Sequence, residues 1–240
     1  MQRLLLLLLL FLPSLAGQVA ITYLQSAFDE TDLTTYTFAS QNLGTASGDR
    51  YIIVGVTARD FGTTAKSISS VTVGGVSATQ VVGVQGAGSG TTISALWIAA
   101  VPTGTTGNVV VTFSEQFIKC DIALWAATAI NSTATDTATD TVVSGNDLSG
   151  AVDVTANGAV IAIGATDADA RTSTWTGVTE DGEYATGGSF FSASWASDEF
   201  ASAQTVTATQ TFSAAVSNPS FVVAAFATTS APARRVFLIQ

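Results

Sequence analysis

Two short acidic stretches hold the side chains best suited to chemistry. "TEDGEY" brings Glu180, Asp181 and Glu183 within four residues, and "SDEF" adds Asp198 and Glu199. A pair of carboxyl groups a few ångströms apart suffices for glycoside hydrolysis, one acting as acid and the other as base or nucleophile. Both stretches fall at expected strand ends and turns, where acidic side chains are ordinarily just solvated. No catalytic residue is therefore assigned, and the chain is read as a non-enzyme. "FDETD" (Asp29, Glu30, Asp32) and "TDADAR" (Asp167, Asp169) offer oxygen ligands for calcium. Neither follows a calcium-loop spacing, so no metal and no cofactor is expected.

Ligand contact is expected instead in "RTSTWTGVTEDGEY", with Trp175, Glu183 and Tyr184 as the candidate binding residues. Trp175 has polar neighbours, which suits an exposed ring against a sugar. Trp97, Trp125 and Trp195 lie in apolar runs, where packing is the expected role. The chain contains no histidine, which removes the usual general base, the usual zinc ligand and the imidazole of Ser and Cys triads. Its single cysteine, Cys120, cannot form an intrachain disulfide, and "FIKCDIALW" reads as a strand that buries it. "NST" at Asn131 is a glycosylation acceptor only in a glycosylating host.

Strands must position these residues. "TTYTFASQ", "RYIIVGVTAR", "SSVTVGGVSATQVV", "TISALWIAAV", "NVVVTF" and "DIALWAATAI" are short runs rich in Val, Ile, Thr and aromatics, bounded by Gly, Asn, Ser, Asp and Pro. "VPTGTTGN" and the Gly74-Gly75 pair supply turn chemistry. After the first residues no long stretch shows a 3.6-residue apolar period with caps, so helix is expected to be scarce.

The second half matches the first in five blocks taken in the same order. "YIIVGVTARD" (51–60) aligns with "VIAIGATDAD" (160–169), pairing Gly55 with Gly164. "VTVGGVS" aligns with "STWTGVT", pairing Gly75 with Gly177; "ISALWIA" aligns with "FSASWAS", setting Trp97 opposite Trp195. "NVVVTF" meets "QTVTAT", and "ALWAAT" meets "VAAFAT". A repeat of about 100 residues is too long for a solenoid unit and fits a whole sandwich domain. The expected fold is all-β: two tandem antiparallel β-sandwich modules, jelly-roll-like, related by an internal repeat and preceded by a short hydrophobic leader. In each module, alternating apolar positions would be buried between two sheets. The expected boundaries are 1–20 for the leader, 21–131 and 132–230 for the modules, and 231–240 for a C-terminal tail. The polar stretch 130–147 is either the boundary itself or the first strand of the second copy.

The leader has Arg3, an apolar run from Leu4 to Leu12, then Pro13 and Ser14-Leu15-Ala16, a signal-peptide pattern with cleavage before Gly17. The run is shorter than the roughly 20 apolar residues needed to cross a bilayer, so no stable transmembrane span is expected. Of the 240 residues, 47% are apolar and only 11% charged, against about 25% charged in an average domain. Hydroxyl and amide side chains must therefore meet the water. The net charge is −10, and the eight basic residues are scattered except for Arg234-Arg235. No basic stripe faces a phosphate backbone, and nucleic-acid binding is not expected.

From "ITYLQSAFDETDLTTYTFASQNLGTASGDRYIIVGVTAR" through "SSVTVGGVSAT", "IAAVPTGTTGNVVVTF" and "ALWAAT", the chain resembles a group of uncharacterised tailed-phage and prophage proteins regarded as virion structural components. That resemblance implies a non-enzymatic structural or display protein on a phage head or tail, self-associated and in contact with other virion proteins. The alternative from the leader and composition is a secreted surface module that binds a cell-surface glycan.

Overall fold

The computed structural model describes residues 17–62, 65–86, 91–141, 144–185, 187–188 and 190–229. Most of the expected leader and the whole expected tail, Arg234-Arg235 included, lie outside the described residues. Every regular element among those described is a β-strand. The first half contains β1 (Ala20–Asp29), β2 (Leu33–Asn42), β3 (Tyr51–Asp60), β4 (Ile68–Val73), β5 (Val76–Ser77), β6 (Thr79–Gln85), β7 (Thr91–Ala100), β8 (Thr106–Phe117) and β9 (Lys119–Thr128). The second contains β10 (Ile130–Asp140), β11 (Ser144–Val154), β12 (Gly158–Thr166), β13 (Ser173–Thr176), β14 (Thr179–Tyr184), β15 (Ser192–Phe200), β16 (Gln204–Ser217) and β17 (Ser220–Thr228). Within the stretch 130–147, residues 130–140 form β10 and residues 144–147 begin β11.

The strands pair antiparallel into four sheets, ordered β1-β9-β3-β7-β6, β2-β8-β4-β5, β10-β17-β12-β15-β14 and β11-β16-β13. In each half the first strand pairs with the last and the second with the last but one, the wrapping of a jelly roll. Apart from β5, both halves follow one wiring. All five sequence blocks fall on strands that occupy corresponding places.

The residue matches inside those blocks do not all correspond. Trp97 packs in the core of the first sandwich, whereas Trp195 points between the two halves. An added Cβ on Gly55 would lie 3.0 Å from Ile163 across the midline, but one on Gly164 would meet Gln210 inside the second sandwich. Side chains alternate faces along a strand, so a slip of one residue turns every match to the opposite face.

The modules are tandem in sequence and stacked in space. Ala129 alone, at φ 54°, separates β9 from β10. The two five-stranded sheets pack face to face, with β1 against β15, β3 against β12 and β6 against β17 and β10. Their strand orders therefore run in opposite directions across the midline. Four layers enclose three apolar cores. Tyr36, Val71, Val111, Phe113, Ile52, Val54 and Leu124 fill the first; Ile53, Leu96, Trp125, Ile161, Ile163, Trp195 and Phe226 the middle; Leu148, Val206, Phe212, Val160 and Val223 the last.

This stacking explains two kinds of strand sequence. The central strands are buried on both faces and read as near-continuous apolar runs, as in "YIIVGV" on β3 and "GAVIAIGAT" on β12. The outer strands alternate, as in "QTVTATQTF" on β16, where Val206, Ala208 and Phe212 turn inward and Thr205 and Thr207 meet water. The expected alternation therefore holds for the outer sheets alone. A buried Val, Leu, Ile or Phe contributes about 1.5–3 kcal/mol, so the middle core stabilises the molecule on the same scale as either sandwich core.

Loops are fastened by side chains. Arg50, 1% exposed, donates to the carbonyls of Val101 at 2.7 Å, Leu43 at 2.9 Å, Gly44 at 2.9 Å, Thr103 at 2.9 Å and Gly104 at 2.7 Å. It staples two loops at the end of the first sandwich.

Candidate functional site

The acidic stretches form the edge strand β14 and the end of β15. A bulge between Glu180 and Gly182 makes Asp181 the extra residue of β14. Bulges re-aim side chains, and the Asp181 carboxylate accepts from Trp125 Nε1 at 2.8 Å and from Ser197 Oγ at 2.7 Å. Trp125 belongs to the first sandwich, so this contact is a clasp between the halves. Burial pushes the Asp181 carboxyl up, while those two hydrogen bonds pull it down. Glu199 Oε1 accepts from the backbone N–H of Ile21 at 2.6 Å, capping an open position on edge strand β1. Asp198 accepts from Thr179 Oγ1 at 3.3 Å. Burial, then Glu183, raise the Glu180 carboxyl.

The three sequence candidates divide between two faces. Glu183 pairs with Ser194 and Tyr184 with Ala193, so these neighbours point to opposite sides of the sheet. Tyr184 faces the midline, stacks on Phe28 with ring centroids 3.7 Å apart and donates from Oη to Glu30 at 3.2 Å. Glu183 faces the second sandwich, where Oε2 accepts from the Ser173 N–H at 2.9 Å. Trp175 lies on that same inner side, half-buried, 5.9 Å from the Phe221 ring and donating from Nε1 to Ser194 Oγ. The structure thus brings Trp175 and Glu183 to one place and Tyr184 to another.

Trp97, Trp125 and Trp195 are 6%, 0% and 2% exposed, which makes them core. The indole N–H groups of Trp97 and Trp195 have no partner among the described residues. Asp167 accepts from Asn218 Nδ2 at 2.6 Å, and Asp169 from the N–H groups of Gly188 at 2.8 Å and Phe190 at 3.2 Å. Asp29 accepts from the Thr31 N–H at 2.8 Å. Side-chain donors thus occupy Asp167 and backbone N–H groups Asp169 and Asp29, and no group of three or more metal-ligating side chains occurs among the described residues. Cys120 is fully buried; burial and then Asp121 push its thiol well up. Asn131 is exposed and accepts from the Thr133 N–H at 3.1 Å.

Sequence reasoning missed the polar cluster inside the second sandwich. Gln210 occupies an inward position of β16, is 0% exposed, and neither Oε1 nor Nε2 has a hydrogen-bond partner among the described residues. Its strand partner on β13 is Trp175, and Ser173 Oγ, two residues away, is also buried without a partner among those residues. Gly164 makes room for the amide: a Cβ there would stand 1.9 Å from Gln210 Oε1. Gly164 pairs with Ser194, which in turn pairs with Glu183. Four strands, β13, β14, β15 and β16, therefore bring an amide, two hydroxyls, an indole and a carboxylate together, and Gly164 of β12 leaves room for the amide. The legible signal was Gln210 itself, an amide where "TVTATQTF" otherwise alternates small or apolar residues inward.

No protein-family model, curated protein or solved structure matches this chain.

Proposed function

We propose that this chain is a non-catalytic structural or display protein, set on a phage head or tail. One observation carries the reading: the middle core joins two jelly rolls through a single-residue connection into one four-layer block. Such a block resists bending between its halves, as a particle component must. Its outer sheets present hydroxyls to water, among them Thr35, Thr37, Thr174, Thr176, Thr205 and Thr207, all exposed. The acidic residues best placed for catalysis act as clasps and caps. Self-association and contact with other virion proteins belong to the same proposal, because particle components assemble as symmetric oligomers.

Mass spectrometry of purified particles and of culture supernatant tests this reading. Recovery in particles at a fixed ratio to the major coat protein is the expected result. Recovery in the supernatant alone, with Gly17 as first residue, would replace it with a secreted surface module.

A further inference from the structure

The two sandwiches share one wiring, yet differ at one place inside. In the first, the inward residues of β3, β4, β7 and β8 there are hydrocarbon: Val56, Val71, Ala95 and Val111 belong to its core. In the second, the corresponding strands present Gly164, Trp175, Ser194 and Gln210. The fold therefore does not require polarity at this place. Burying an amide without partners costs free energy that an apolar side chain of similar shape would avoid. Gln210 carries two unpartnered polar atoms at 0% exposure, and Ser173 a third at 8%.

We propose that Gln210, Ser173 and Trp175 form a binding site for a neutral, hydroxyl-bearing ligand of the carbohydrate class, reached when β13 parts from β14 and the hydrogen bond from the Ser173 N–H to Glu183 Oε2 opens. The inference is independent of where the protein is displayed. An amide offers an acceptor at Oε1 and two donors at Nε2. Neighbouring sugar hydroxyls, each both donor and acceptor, satisfy the two ends together. The Ser173 hydroxyl adds a contact of either sense, and the indole supplies an apolar face for the C–H side of the ring. Glu183, exposed at the mouth, disfavours anions, while a bare cation would leave the Nε2 donors unmet. β13 spans four residues at the edge of its three-stranded sheet, so it is the strand that moves aside at least cost.

The test follows the Trp175 indole N–H by two-dimensional NMR of the full chain during titration with glucose, galactose, N-acetylglucosamine and, as a control, glycerol. A saturable shift with at least one sugar is expected, with the Trp97 signal unmoved. Gln210→Met is expected to weaken that response at least tenfold while raising Tm, and Ser173→Ala to weaken it without loss of the fold. No saturable shift with any sugar at about 100 mM, a hundredfold above a millimolar Kd, overturns the proposal and leaves the amide to water. So does an equal response to glycerol, or sugar binding that both variants retain.

Discussion

Asp121 lies on the face of β9 that carries Ala123 and Trp125, turned toward the second sandwich. It is 1% exposed, and neither carboxylate oxygen has a hydrogen-bond partner among the described residues. Burial pushes its carboxyl well above the ordinary aspartate value. The folded chain thus holds this proton more tightly than the unfolded chain does. The resulting stabilisation is complete below the unfolded-state pKa and is lost as pH rises through the folded-state pKa. Asp121→Asn cannot ionise, so its Tm relative to wild type is expected to climb as pH rises past the unfolded-state pKa, measured over a range of about pH 4 to 8. A difference that stays flat over that range, in thermal melts followed by circular dichroism, would refute a buried titrating Asp121. Gln210 shows the same principle in neutral form: one polar side chain at an apolar position of the pattern marks a place where something other than packing decided the residue.

Sheet spacing is governed by a few small residues. An added Cβ on Gly55 would lie 3.0 Å from Ile163 Cγ2 and 3.1 Å from Trp125 Cζ3, so β3 and β12 approach closely only because β3 has a glycine there. Gly55→Ala is expected to wedge the middle layers and cost about 1–3 kcal/mol, read as a lower urea midpoint. Strand identity and the sandwich class were largely legible, because Val, Thr and aromatic runs punctuated by glycine leave few other choices; the order of the strands was not. Faces were less legible. "VIAIGA" and "YIIVGV" are apolar at consecutive positions, so nothing in them says which residues turn inward. The Trp97–Trp195 match shows what that ambiguity does to a repeat drawn from sequence.

The whole molecule is expected to unfold in one transition, because separating the halves would expose Leu96, Ile98, Trp125, Ile161, Ile163 and Phe226 together. Calorimetry giving two resolved transitions would mean that the sandwiches are independent. The clasps from Asp181 to Trp125, from Glu199 to Ile21 and from Tyr184 to Phe28 act at this scale. They explain why acids that looked reactive in the chain serve assembly. Composition, strand periodicity and turn residues were enough for an all-β chain, since those signals are local. Stacking depends on which apolar face finds another, and on whether a bulge turns Asp181 toward Trp125. Those outcomes rest on contacts between residues far apart in the chain, so only the folded arrangement settles them.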